Sequence, residues 1–588
     1  MPRRLLIAAL LGLVLVGPAP AAPQELIPGL TYDRKLEFTT AGPVVANVLT
    51  VPRPGGLWQL NPVLSNESIL GTERLTAMER RSSATATVAG VNGDLFGTNG
   101  APSGILMRNG GLDRPPVPGR SSIGIDSSGA LTVGRAAMLA TWQGSGPRRA
   151  LNDVNGPAIP NGVSLFTPAW GPATPSSPGS VEITLSPFAA ATPNVELSAP
   201  VVGVSGNGGT AIPVGGAVLV ARGAAAARLQ GEAPVDRVVK IRLILKPALS
   251  SVVNAIGGGP VLVRGGKPIF RANEDFTPDQ LLPRTARTAV GQLADGRFLL
   301  VTVDGAQPGY SAGATNFELA LLMVKLGAVT AAALDGGSSS AMAFDGQLLS
   351  SPFGPERPIG DALIVSYGGV YVPQPLEPVL SPNGDGVAEK QRLSYKAVRP
   401  SDVTANLLGP DGVARYTFSG PVAPGTYPLD WPGTKPDGTP EAEGRWRWIV
   451  SATDDAGQAS TAERSFQLNR TLGFATPVVP ALAVPRAQPR AVATFKLTRA
   501  ASVTSRIETT SGVLLRTLPR QRAAAGDLEV AWDGKTDGGA VVYSGRYVAE
   551  VTAANELGAV TLGATFTVRR LPPPPPPPPK KKPPAKKK

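Results

Sequence analysis

The residues of this chain best suited to chemistry are two aspartates in glycine-rich turns, one arginine and a run of serines. Asp335 lies in Leu334-Asp335-Gly336-Gly337-Ser338-Ser339-Ser340, and Asp304 in Val303-Asp304-Gly305. Arg287 opens Arg287-Thr288-Ala289-Val290-Gly291, and Arg357 sits in Glu356-Arg357-Pro358. Two further segments share the glycine-rich texture, Asn92-Gly93-Asp94-Leu95-Phe96 and Gly257-Gly258-Gly259-Pro260. The 588-residue chain contains neither histidine nor cysteine. That excludes Ser-His-Asp and Cys-His nucleophilic schemes, histidine-ligated zinc and histidine as a general base. Acid and base work falls to Asp, Glu, Lys or Tyr, and glycoside cleavage is prominent among reactions that run on carboxylates alone.

Both aspartates follow patterns that read as regular elements. Phe298 to Val303 (FLLVTV) is a buried-strand run ending at Asp304. Asn316 to Leu326 has helical spacing without a breaker, with Gly327 as its stop, and the apolar run Val329 to Leu334 ends at Asp335. A strand, helix, strand succession of this kind places Asp304 and Asp335 just past the carboxyl ends of neighbouring strands if the two pair in parallel, the side on which ligands tend to bind.

The rest of the chain sets the organisation around that unit. Residues 1–22 read as a signal peptide, with Arg3 and Arg4 before an apolar core from Leu5 to Val16 that is too short to span a bilayer, and small residues at Ala19-Pro20-Ala21. Residues 23–372 form the expected catalytic region. Beyond it the texture becomes polar and β-like, and one module recurs: Trp431, Gly444-Arg445-Trp446 and Gly457 return as Trp532, Gly545-Arg546-Tyr547 and Gly558, 101 residues later. The modules are expected over 376–474 and 489–570, each near the size of one β-sandwich, with 475–488 as a linker. Ser381 to Gly386 reads as a tight turn, or as oxygen ligands for calcium. With 69 glycines and 61 prolines the chain favours short strands over long helices, so the fold class is a β-rich α+β catalytic domain followed by two all-β immunoglobulin-like sandwiches.

The formal charge of +13 is localised, because six lysines lie in the last nine residues. Without them it falls to +7, and without Arg3 and Arg4 to +5, and no basic stripe carries interleaved aromatics, so nucleic acid is not an expected partner. The tail, 571–588, runs through the prolines from Pro572 to Pro579 into lysines. It cannot build a core, and it reads either as a semi-rigid spacer with a cationic tip for an anionic envelope surface or as a solvated disordered end.

Taken in order, the six short segments resemble the phosphodiester glycosidase family. Its pattern runs through an Asn-Gly-Gly-aromatic-Phe segment, GGGP, Arg-Thr-x-x-Gly, Val-Asp-Gly-Arg, a helix, Leu-Asp-Gly-Gly-Gly-Ser-Ser and Glu-Arg-Pro. The likeness covers roughly residues 85 to 370, with departures at Asp94, Ala306 and Ser338 where the family has Gly, Arg and Gly. The repeated modules are similar to the Ig-like repeat related to the flagellar hook-capping protein. The resemblance implies an exported hydrolase acting on a glycosyl phosphodiester, such as a cell-envelope glycopolymer; hydrolysis needs no organic cofactor, no metal ligands are singled out, and metal dependence is left open. It implies Asp335, Asp304 and Glu318 as catalytic groups, and Arg287, Asn92, Gly336, Gly337, Ser338, Ser339 and Arg357 as substrate-binding ones.

The residue types suit that chemistry. A sugar leaving a phosphodiester departs from a phosphate anion that scarcely needs protonation, so the site needs cations or N–H donors on phosphate and a carboxylate near the anomeric carbon. Arg287 offers a bidentate fork, the glycines beside Asp335 allow close backbone approach, and the serines add donors. The competing class is a non-catalytic envelope-binding protein in which the modules and tail do the work, and a third is another glycosidase or transferase on the same scaffold.

Overall fold

The computed structural model describes residues 23–572, apart from 158, 248, 250, 270–272 and 479. The signal peptide read at 1–22 and all but the start of the proline and lysine tail lie outside the described residues. Strands dominate, and among the described residues the α-helices are short, the longest being Asn316–Lys325. Among the described residues no helix is long and apolar enough to cross a membrane. The chain divides after Gly369 into two compact units.

The first unit is built on four sheets. The sheet that matters most for the site runs Gln24–Ile27, Leu30–Thr39, Gly42–Val51, Phe298–Val303, Arg287–Leu293, Ala328–Ala333, Val261–Arg264 and Lys267–Pro268. Its strands Phe298–Val303 and Ala328–Ala333 are apolar except for Thr302 and Thr330. The helix Asn316–Lys325 lies over this sheet and buries Leu319, Ala320 and Met323 with Ala289, Val301 and Ala331. The parallel pairing expected of the two aspartate-bearing strands does not occur. Arg287–Leu293 inserts between them and is antiparallel to both, with Arg287 opposite Val303 and Ala289 opposite Ala333. Two strands that are each antiparallel to a shared neighbour run the same way. Asp304, Asp335 and Arg287 therefore still emerge at one edge of the sheet.

A five-stranded sheet, ordered Gln347–Leu348, Met342–Phe344, Thr87–Asn92, Asp361–Tyr367 and Trp58–Leu64, delivers Asn92 and Asp361 side by side, since Asn92 pairs with Ala362. Another five-stranded sheet contains Val252–Gly258 and brings Gly257 and Gly258 to the same place. The fourth sheet, formed between Ala137 and Lys246, has its own core around Trp142, Leu165 and Ile241.

The second unit repeats one arrangement. In its first half Gln391–Ala397 pairs with Gly425–Trp431, and Ser401–Leu408 lies between Gly444–Asp454 and Ala414–Val422. In its second half Arg490–Leu497 pairs with Gly526–Trp532, and Ala501–Thr509 pairs with Gly545–Asn555. Trp431 packs on Trp446 and Phe466 with ring centroids 4.3 and 5.8 Å away, and Trp532 packs on Tyr547 and Phe566, each at 5.9 Å. The repeated landmarks are thus core aromatics.

One expectation about this unit changes, and one of two alternatives is met. The segment 475–488 is not a bare linker: Leu472–Pro477 pairs with Arg490–Leu497, and Leu482–Val484 pairs in parallel with the end of Gly558–Arg570. Its apolar residues Leu482 and Val484 are buried in the second core. In the Ser381 to Gly386 turn, side-chain oxygens accept from backbone amides, Asn383 Oδ1 from Asp385 and the two oxygens of Asp385 from Val387 and Phe474. Those contacts describe a turn.

Candidate active site

The strand Ala328–Ala333 ends at Leu334, whose amide donates to Thr288 O, and the chain then turns through Asp335 into the single 3-10 turn Gly337–Ser339. The Asp335 loop is held from three sides. Its amide donates to Gly93 O at 2.9 Å, its carbonyl accepts from Asn92 Nδ2 at 2.8 Å, and its Oδ1 accepts from the Gly336 amide at 2.9 Å. Asn92 is fully buried and also accepts from Thr288 Oγ1 and the Ala341 amide. It therefore ties both sheets to the loop without reaching a ligand, and is a positioning residue.

Burial pushes the Asp335 carboxyl up to about 6, with the neighbouring Asp94 adding to the rise, while a Ser339 hydrogen bond, the Gly336 amide and Arg357 pull the other way. Arg357 is exposed and donates from Nη1 to Ser338 Oγ at 3.2 Å and Ser339 Oγ at 2.9 Å. Its guanidinium stacks 4.9 Å from the Phe96 ring centroid. Among the described residues its Nε and Nη2 have no hydrogen-bond partner, so this cation stays available beside Asp335.

Arg287 lines a cavity of about 220 Å³ together with Asp335, Gly336, Gly337, Thr285, Asn316 and Leu95. The free bidentate fork expected of it is not there. Its Nε donates to Ala314 O at 3.0 Å, Nη1 to Gln280 O at 2.9 Å, and Nη2 to Pro283 O at 2.7 Å and Leu281 O at 3.4 Å. Backbone carbonyls satisfy hydrogen bonds but carry no countercharge, and burial lowers this guanidinium to about 10. Arg287 acts as a fixed positive charge in the cavity wall.

Two of the three residues expected to be catalytic stand apart from Asp335. Asp304 reaches the same sheet edge, but its carboxylate is enclosed by Asn47 Nδ2 at 3.1 Å, the Ser351 amide at 3.1 Å and the Tyr310 hydroxyl at 2.9 Å. Tyr310 in turn accepts from Arg34 at 3.0 Å. Glu318 caps its own helix. Oε2 accepts from the amide and hydroxyl of Thr315, and Oε1 pairs with Arg284. The sequence Thr315-Asn316-Phe317-Glu318 is a capping box, in which such a glutamate closes the helix start. These contacts give Glu318 a helix-capping role.

Two further residues complete the neighbourhood, Asp94, read in the sequence as a departure from the family pattern, and Asp361, which the sequence did not single out. Asp94, fully enclosed, pairs with Arg120 Nη2 at 2.5 Å and accepts from the Gly104 amide. Asp361 is also fully buried, and its Oδ1 accepts from the Asp94 amide at 2.8 Å while Oδ2 has no hydrogen-bond partner. Burial, with Asp94 and Asp335 nearby, raises the Asp361 carboxyl well above its ordinary value. The crowding explains two glycines. A side chain at Gly93 would meet Ile256 Cδ1 at 2.8 Å, and one at Gly257 would meet Gly104 Cα at 2.7 Å. Among the described residues no group of three or more acidic side chains has the geometry of a metal site.

Residues 193–366 match the family model for phosphodiester glycosidases, and residues 485–556 match that for the FlgD Ig-like domain. The first match includes Arg287, Asp304, Asp335 and Arg357 but begins beyond Asn92 and Asp94. The SPbeta prophage-derived uncharacterized protein YomE of Bacillus subtilis (strain 168) is 30% identical over 166 residues, 28% of this chain and 25% of that protein. This chain thus matches only a quarter of its relative's length. A hypothetical protein from Synechocystis of known structure is 26% identical with a TM-score of 0.48, over 58% of this chain and 62% of that one. The zebrafish N-acetylglucosamine-1-phosphodiester α-N-acetylglucosaminidase catalytic domain, auto-inhibited by its pro-peptide, is 14% identical with a TM-score of 0.32, over 59% of this chain and 86% of that one. Residues 193–366 are thus similar to a phosphodiester glycosidase domain, and residues 485–556 to an FlgD Ig-like domain.

Proposed function

We propose that the first unit hydrolyses a glycosyl phosphodiester, with Asp335 as the carboxylate that meets the anomeric carbon. The observation that carries this reading is the shared cavity, whose wall holds both Asp335 and a buried cation, Arg287, that has no acidic partner among the described residues. A phosphodiester restores the missing negative charge, and Arg357, exposed beside Ser338 and Ser339, supplies the hydrogen-bonding cation that Arg287 cannot. Asp335 is ionised above about pH 6 and either stabilises the developing oxocarbenium ion or attacks it. The bonding pair of the broken anomeric C–O bond goes to the phosphate oxygen, and a water oxygen becomes the anomeric hydroxyl. The products are a sugar and a phosphate monoester, and no organic cofactor is needed. Asn92 and Ser339 fix the carboxylate, and Asp304 takes no direct part.

The wider reading follows the same line. Residues 23–372 are an α+β catalytic domain, the repeats over 376–474 and 489–570 are immunoglobulin-like sandwiches, residues 1–22 direct export, and 571–588 hold the enzyme to an anionic envelope surface. The test is sugar release from a glycosyl phosphodiester panel by wild type, Asp335→Asn and Arg357→Gln. Asp335→Asn loses most turnover on every substrate. Arg357→Gln loses more on phosphodiesters than on an uncharged aryl glycoside. Near-normal turnover by Asp335→Asn refutes the catalytic assignment.

A further inference from the structure

The Asp335 cavity does not end at Arg287. Pro260, Phe276, Leu281 and Asn316 line both it and a second cavity of about 560 Å³, whose remaining wall includes Leu262, Ile269, Leu282 and Phe317. That volume lies in the range of small-molecule sites. Its lining is largely hydrocarbon, and its one carboxylate is already engaged: Glu274 accepts from the amides of Ser121 and Val261, each at 2.7 Å. Arg287 marks the junction, because the carbonyls of Gln280 and Leu281 that hold its guanidinium belong to the short helix Pro278–Leu281, which borders both spaces. At the outer rim Leu282 is 70% exposed and Phe317 39% exposed. Apolar surface left in water beside a polar site marks a place where an apolar group binds.

From this continuity we infer that the substrate is amphiphilic, a glycosyl phosphodiester whose second ester is a hydrocarbon alcohol lying in the larger cavity. The inference rests on the hydrolase reading for the direction of the chain. The sugar occupies the space at Asp335, the phosphate lies by the Arg287 charge, and the alkyl chain runs past Phe276 and Leu281 toward Leu282. A polar aglycone would desolvate hydroxyls against this wall without return.

Two measurements on the full chain test it, both below the micellar concentration. The first is calorimetric binding of decyl phosphate against methyl phosphate. The second is sugar release from the methyl, hexyl and decyl esters of N-acetylglucosamine 1-phosphate. A gain of about twofold per methylene, roughly half that of full burial, makes decyl phosphate bind at least about 100-fold more tightly than methyl phosphate. The rim variant Leu282→Ser with Phe317→Ser reduces that preference about tenfold or more and leaves methyl phosphate binding unchanged. Equal binding of the two phosphates overturns the inference, as does a preference that survives in the rim variant. The parent reading fails separately: decyl preference with no sugar release removes the hydrolase while the apolar site stands, and equal release from all three esters with no decyl preference does the reverse.

Discussion

Replacing Asp335 by asparagine should make the protein more stable at alkaline pH while removing its activity. Burial is the main reason that the Asp335 carboxyl titrates near 6 instead of at its ordinary value of 3.8. The folded chain therefore holds a proton that the unfolded chain has released between about pH 4 and 6. Its contribution to stability is fully present below that window and is lost as pH rises through it. A shift of about two units corresponds to about 3 kcal/mol at roughly 1.4 kcal/mol per unit. The amide keeps the Gly336 hydrogen bond on Oδ1 but puts an NH2 where the second oxygen stood beside Ser339, at a cost of about 1 kcal/mol. The expected net gain is about 2 kcal/mol at pH 8, with a loss of about 1 kcal/mol at pH 4. For a unit of this length, 2 kcal/mol is a rise of about 3 °C in midpoint. Scanning calorimetry of the full chain at both pH values, following the transition of the unit that holds residue 335, reads the difference directly. If the variant gains nothing on going from pH 4 to pH 8, Asp335 is not a carboxylate held against its charge by burial, and the assignment loses its physical basis.

Three other outcomes follow from particular contacts. Glu318→Gln keeps the cap on Thr315 and loses only a partly exposed ion pair with Arg284, so stability should fall by no more than about 1 kcal/mol and turnover should stay within about twofold; a large loss of turnover at unchanged stability would return Glu318 to the catalytic group. Asp94→Gly leaves Arg120 buried without its partner and should cost about 3 to 5 kcal/mol, much of which Arg120→Met restores in the double variant; additive losses in denaturant unfolding would contradict that coupling. Trp431→Ala and Trp532→Ala each empty a packed aromatic cluster and should cost about 3 to 5 kcal/mol in their own repeat, measured as separate unfolding transitions.

What the sequence revealed and what it hid divide along physical lines. The helix read over 316–326 spans Asn316–Lys325, and the apolar run at 298–303 is a strand with those bounds, because local periodicity and a glycine stop set both. The capping contacts of Glu318 were legible in the same segment, as Thr315 three residues before a glutamate at a helix start is itself a capping signal. Arg287 is a different case. Its type suited an anion, but the carbonyls that enclose it come from 280–283 and from Ala314, and no local pattern announces which backbone atoms a distant loop will turn inward. Nor did anything in Ile359-Gly360-Asp361 suggest a buried acid. Asp361 owes its raised pKa first to burial and then to Asp94, 267 residues earlier, brought against it by strand pairing.

Asp94 shows how these levels join. In the sequence it is a departure from a glycine pattern, and in the fold it is half of a buried ion pair with Arg120. Arg120 also stands over the Phe276 ring, at 5.3 Å, and Phe276 lines both cavities beside Asp335. An aspartate in place of the glycine is tolerable only where an arginine reaches it, and that arginine supports the wall between the two cavities. The departure is then a second anchor for the wall that the substrate must pass, and its negative charge is one of the causes that keep Asp335 hard to ionise. A residue that weakens the motif match thereby tunes the carboxylate that the motif presents.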